Sequence, residues 1–137
     1  MPKITFIDSN VFIYVMLKDP SYGHVALDIL TRFERGEEVG IISTLVLSQV
    51  FAHLARKKKW SAMDKFFEYI EGIPIRVIET TLKDFRRAKE LKKKLNLPWR
   101  LWDDLIIVSQ MERLNIKKIY SNDVDFDAIS DVERVFR

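Results

Sequence analysis

Five aspartates are placed where distant carboxylates could meet. Asp8 directly follows the short β-branched and aromatic run Lys3-Ile4-Thr5-Phe6-Ile7. Asp103 and Asp104 open an apolar helical stretch, and Asp123 and Asp125 come just after the run Lys117-Lys118-Ile119-Tyr120. Converging carboxylates repel one another unless a cation or a proton sits among them. Oxygen donors in a chain without cysteine suit Mg²⁺ or Mn²⁺ rather than zinc. Such a site polarises a phosphate oxygen and generates hydroxide from bound water, so its natural reaction is phosphodiester hydrolysis with no protein nucleophile. Each acid also has a plainer reading. Asp8 before Ser9-Asn10 is a helix cap, Asp103 compensates a helix dipole, and Asp123 and Asp125 are turn formers. Only their co-location would separate chemistry from punctuation.

Co-location depends on the elements that carry these residues. Short apolar runs read as strands at 3–7, 39–42, 73–78, 117–120 and 132–136. Helical patterns fall at 11–17, 22–35, 61–71, 82–95 and 101–114, with a further helix entered at Ser43 or Thr44 and carrying Leu45, Val46, Leu47, Val50 and Leu54. Buried strands alternating with helices predict an α/β fold, a three-layer α/β/α sandwich around a central, mainly parallel sheet, as one domain over residues 1–137. Ligands of such sheets bind outside the carboxyl ends of the strands. Asp8 and Asp123 are therefore expected on one edge, and the first turn of the helix bearing Asp103 and Asp104 joins them if it starts there.

The 137 residues are 47% hydrophobic and 31% charged, with 4 Gly and 4 Pro, which describes an ordinary globular chain without a linker. The absence of cysteine excludes disulfides, zinc–thiolate sites and thiol nucleophiles. The N-terminal apolar stretch is too short for a signal peptide and no run reaches bilayer length, so the expected location is cytoplasmic, with no membrane association. The net charge of +3 is modest, but Lys and Arg gather at Arg56-Lys57-Lys58-Lys59 and from Arg86 to Lys94. An acidic cluster on a mildly basic chain suggests a cation site beside a polyanion-binding surface, whereas either basic cluster alone reads as a solvated helix face.

Three segments resemble the motifs of PIN domains. Phe6-Ile7-Asp8-Ser9-Asn10-Val11-Phe12-Ile13-Tyr14 is similar to their opening motif. Trp102-Asp103-Asp104-Leu105-Ile106-Ile107 resembles the third, an acid followed by a small residue and an aliphatic pair. Tyr120-Ser121-Asn122-Asp123-Val124-Asp125-Phe126 resembles the closing one. The resemblance implies a Mg²⁺- or Mn²⁺-dependent nuclease acting on single-stranded RNA. It carries over Asp8, Asp103 and Asp123 as metal-site carboxylates, with Asn10 and Ser121 as polar support; Asp104, Asp125 and Gln49 are additional candidates beside them. Asp103 is preferred because Asp104-Leu105-Ile106 then fills the small-aliphatic-aliphatic slots. It further implies a VapC-type toxin, a homodimer silenced by an antitoxin protein. One departure stands out: the family's second acid, a Glu on the helix after the second strand, corresponds here to Gln49. Gln is isosteric but brings no charge and no basic oxygen. His53, one turn on, reads better as a surface or interface residue than as a substitute.

RNA binding needs phosphate contacts and stacking platforms. Trp99 and Arg100, just before the paired acids, and Lys57 and Lys58, before Trp60, are the candidates, although Trp102 and Trp60 could equally be packing residues. Leu47, Phe51, Phe66 and Phe67 offer an apolar surface for two-fold pairing. Two other classes remain: an attenuated PIN domain that binds RNA or protein without cutting, motivated by Gln49, and a phosphatase-like or receiver-like domain. The latter wants a second Asp two residues after the first, where this chain has Asn10.

Overall fold

The computed structural model describes residues 3–137. Five strands, β1 (Lys3–Ile7), β2 (Glu38–Ser43), β3 (Ile75–Ile78), β4 (Lys118–Tyr120) and β5 (Glu133–Val135), form one sheet in the order β3-β2-β1-β4-β5. Every pairing is parallel, so the sheet is wholly rather than mainly parallel. Parallel strands need covered crossovers, and six helices provide them: α1 (Ser9–Met16), α2 (Gly23–Glu34), α3 (Thr44–Arg56), α4 (Trp60–Gly72), α5 (Leu82–Leu95) and α6 (Trp102–Arg113). From β1 to β3 the chain steps along the sheet one way, then returns past β2 and β1 to reach β4. Right-handed crossovers in opposite directions put α1–α4 on one face and α5–α6 on the other.

The sheet is buried on both faces, as parallel sheets are, so that consecutive Phe6 and Ile7, with Ile42 and Ile119, are all fully enclosed. Gly40 in β2 lies opposite Thr5 of β1. A Cβ there would come within 2.9 Å of Ile7, 3.0 Å of Ile75 and 3.2 Å of Phe33, so the glycine lets α2 seat its Phe33 on the sheet. Helix α5 begins with a capping box in which Thr81 and Asp84 satisfy each other's backbone N–H. It ends at Asn96 in the left-handed conformation.

Several boundaries differ from the sequence expectation for local reasons. The strand expected from residue 73 starts at Ile75, because Ile73 and Pro74 form a tight turn closed by the Ile75 N–H on the Ile73 carbonyl. The last helix starts at Trp102 because Pro98 first leads a 3₁₀ turn, Trp99–Leu101. Phe66 does not belong to a free surface. It is fully buried, edge-on to Phe12 and Phe51 with centroids 5.4 Å away in each case, while Phe67 beside it is 53% exposed.

Candidate metal centre

Asp8 caps α1 as it leaves β1, and its depth comes from the pairing of β1 with β4. The Asp8 N–H donates to the Tyr120 carbonyl at 3.0 Å, which continues the ladder one residue past the strand. The side chain is only 4% exposed and accepts from three uncharged donors. These are the Ser9 N–H at 2.7 Å, the Ser121 hydroxyl at 2.7 Å and the Asn10 amide at 3.1 Å. Asn10 also receives the Asn122 N–H on its Oδ1 and donates to Ser121 Oγ, so Asn10 and Ser121 tie the loop after β1 to the loop after β4. Burial raises the Asp8 proton affinity, and nearby Asp123 adds to it against the pull of the hydrogen bonds.

Asp123 caps the 3₁₀ turn Val124–Ala128 by accepting the Asp125 N–H at 3.0 Å, while its own N–H donates to Ser121 Oγ. The cap turns Asp125 back toward Asp123. Oxygens of Asp104, Asp123 and Asp125 then lie within 4.8 Å of one another. Asp104 reaches this group from the first turn of α6. Burial, then the charges of Asp123 and Asp8, push its carboxyl up to about 8, and it sits close enough to Asp123 to share a proton. Among the described residues, the ion pair reaching these acids is Arg100 to Asp125 at 2.8 Å.

Asp103 is not the inward acid. It is exposed, and its Oδ2 accepts from the Gln49 amide at 3.0 Å. Successive helix residues point about 100° apart, and of the pair it is Asp104 whose oxygen lies with those of Asp123 and Asp125. Gln49 thus meets the neighbour of the cluster, and its Oε1 is buried without a partner. His53 has its proton affinity lowered by burial and by Lys57 and Arg56, consistent with a side chain outside the acidic group. Lys57 and Lys58 lie past the end of α3, two helical turns beyond Gln49, and do not join the site. Trp99 and Arg100 do border it.

The donors fit a hard divalent cation. They are all oxygens, they crowd together with little counter-charge, and Asp104 holds a proton at a pH where an isolated carboxyl would not. Asp104, Asp123 and Asp125 would hold the ion, with buried Asp8 beside them.

The PIN domain family model matches residues 5–132. The chain belongs to the PIN domain family. None of the curated proteins matches it in sequence. Solved structures share the PIN fold at low identity. VapC20 of Mycobacterium tuberculosis, described as a toxin cleaving the sarcin–ricin loop, superposes with a TM-score of 0.81 at 20% identity, covering 98% of this chain and 100% of that one. VapBC2 of Rickettsia felis, bound to a promoter DNA fragment, gives 0.70 at 20% identity, covering 96% and 97%. A toxin–antitoxin complex from Klebsiella pneumoniae gives 0.68 at 17% identity, covering 93% and 94%. The acids of this PIN domain lie between β1 and β4, where the chain order of the sheet jumps, the usual ligand position in open parallel sheets.

Proposed function

We propose that this PIN domain is a divalent-metal-dependent endoribonuclease that hydrolyses single-stranded RNA, and that it is the toxin of a toxin–antitoxin pair. The observation that carries the reading is the crowding of Asp104, Asp123 and Asp125 beside buried Asp8. A bound Mg²⁺ or Mn²⁺ would polarise a phosphate oxygen and lower the pKa of a water molecule. The chain's own part is to hold three anionic oxygens at one point. Ser121 and Asn10 keep Asp8 oriented, and Arg100 is free enough on its exposed stem to meet a phosphate. The structural relatives described as toxins and toxin–antitoxin complexes support an antitoxin partner and a cytoplasmic setting. No helix among the described residues is long and apolar enough to cross a membrane. Pairing of two copies through Leu47, Phe51 and Phe67 completes the reading, with half-buried Phe51 and exposed Phe67 tilted against each other, centroids 4.6 Å apart, where α3 meets α4.

A second reading is favoured by Gln49, which supplies no charge and is committed to Asp103: a PIN domain that binds RNA or a partner without cutting. Incubation of structured-loop and unstructured RNA with the protein, with and without Mg²⁺ or Mn²⁺, decides between them. Cleavage that needs the metal and disappears in Asp104→Asn is expected. Binding without metal-dependent cleavage would leave the second reading.

A further inference from the structure

Helix α5 carries Phe85, Lys89 and Lys92 at helical spacing on one face, Phe85 and Lys89 exposed and Lys92 half-buried, and the segment after it folds back so that two tryptophans meet that face. The Phe85 ring lies 6.4 Å from Trp102, and Trp102 lies 5.7 Å from Trp99. Lys92 Nζ sits over the Trp99 ring at 4.2 Å. Phe85 is 40% and Trp99 61% exposed, a large apolar surface to leave in water on a helix otherwise crowded with lysine and arginine. The next residue after Trp99 is Arg100, whose guanidinium rests on Asp125 of the acidic group. A row of three rings, with Lys92 over Trp99 and Arg100 next along the chain on Asp125, thus leads from α5 toward the acids.

We propose that Phe85, Trp102 and Trp99 form a base-stacking track for a single nucleic-acid strand, with Lys89, Lys92 and Arg100 meeting its phosphates and directing it to the acids. The proposal deepens the ribonuclease reading and rests on it for the substrate class. The charge of the surface selects the occupant. A protein partner would cover the rings with apolar groups and strand the lysines, whereas a single strand offers flat bases to the rings and phosphates to the cations in alternation. Ring stacking is indifferent to base identity, so the track confers affinity and direction without a sequence code.

The test separates base from phosphate and binding from cleavage. A short fluorescein-labelled oligoadenylate and an abasic oligomer of the same length are titrated with the full chain in EDTA, following anisotropy. The wild type is expected to bind the oligoadenylate about tenfold more tightly than the abasic strand, Trp99→Ala to lose that preference, and Trp99→Phe to keep most of it. Lys92→Ala should weaken both strands alike and flatten the salt dependence. Equal binding of the two strands by the wild type, binding of neither, or a preference that survives Trp99→Ala would overturn the track. So would a change from dimer to monomer mass in Trp99→Ala with its oligonucleotide affinity unchanged, which would make the surface a contact between copies. Because no metal is present, a base preference without cleavage in the Mn²⁺ assay would remove the nuclease reading and leave the track standing.

Discussion

Asp84 and Asp8 are the same side chain at nearly the same depth, 2% and 4% exposed, yet their proton affinities move in opposite directions. Burial raises both. At Asp84 it is overcome: Arg113 donates through Nε and Nη2 at 2.9 and 3.0 Å, and the Thr81 N–H and Gln110 amide add to it, so the carboxyl is held below its ordinary range. At Asp8 the donors are uncharged and the nearest charge is another carboxylate, so burial prevails. Glu38, between Tyr120, Thr5 and Lys118, behaves like Asp84. The chain provides counter-charge where a buried carboxylate joins elements, whereas at the sheet edge the cation among the described residues is Arg100 on Asp125, and Asp8 has none. The difference separates acids that serve as architecture from those that the proposed metal site would use.

Removing the inward acid should give the largest effect. Asp104→Asn is expected to reduce metal-dependent RNA cleavage by about a hundredfold or more, because one of few anionic oxygens is gone. The same change should raise the melting temperature of the metal-free protein, because it relieves repulsion with Asp123 and Asp8. Asp103→Asn should keep cleavage within about threefold, since that side chain faces Gln49. Equal losses in the two variants would undo the choice between these neighbouring acids.

The compensated acid should behave in the opposite way. Asp84→Ala removes the partner of Arg113 and the α5 capping box together. Breaking a buried pair costs roughly 3–5 kcal/mol, and with Arg113 37% exposed and able to turn to water, the expected loss is about 2–4 kcal/mol in urea unfolding. A variant as stable as wild type would show that the pair contributes nothing beyond its own desolvation.

Titration sharpens the contrast. Asp104 binds its proton more tightly folded than unfolded, where the ordinary value is 3.8. Between those limits the folded state carries the extra proton, so metal-free stability should fall as pH rises from about 4 to about 8 and then level off. Asp84 and Glu38 act with the opposite sign: their contribution is present above 3.8 and 4.5 and disappears as pH drops through their lowered folded values. Thermal melts in EDTA should therefore peak in mildly acid solution. Asp104→Asn should flatten the alkaline side of that peak, and saturating Mn²⁺ should do the same in the wild type by displacing the proton.

Much of this was legible from residue order because parallel sheets obey strict connection rules. Asp8 and Asp123 each follow an apolar run, and strands running the same way must bring those two ends to one edge. The choice between Asp103 and Asp104 was not legible. From Leu105 to Met111 α6 is buried on every side, so no polar–apolar period tells which of two consecutive acids turns inward. The motif slots favour Asp103, whereas the oxygens that gather with Asp123 and Asp125 are those of Asp104. The Asp84–Arg113 pair spans two helices, and Phe85 meets Trp102 only through the packing of α5 against α6, so neither carries a local sequence signal. Phe66 and Phe67 show the same limit: adjacent phenylalanines on α4, one enclosed and one exposed.

The smallest expected effect concerns Gln49, which stands between the two regimes. Its amide donates to Asp103 Oδ2, while its buried Oε1 has no donor. Gln49→Glu barely changes volume but replaces the donor with a carboxylate about a hydrogen bond's length from another carboxylate. In the metal-free protein this should destabilise by about 1 kcal/mol near neutral pH, from the lost bond and the new repulsion. The loss should shrink as the pH is lowered and the new carboxyl takes up a proton, because the protonated acid can again donate to Asp103. Adding Asp103→Asn on the Gln49→Glu background should recover most of the loss, since an amide at that position can donate back, so the two changes are expected to be strongly non-additive. Mn²⁺ supplies the remaining discrimination. If the new carboxylate reaches an ion bound at Asp104, Asp123 and Asp125, the metal-induced rise in melting temperature should exceed that of wild type. A rise equal to wild type would confine Gln49 to its contact with Asp103, and the acids between β1 and β4 would then make up the anionic site without help from α3.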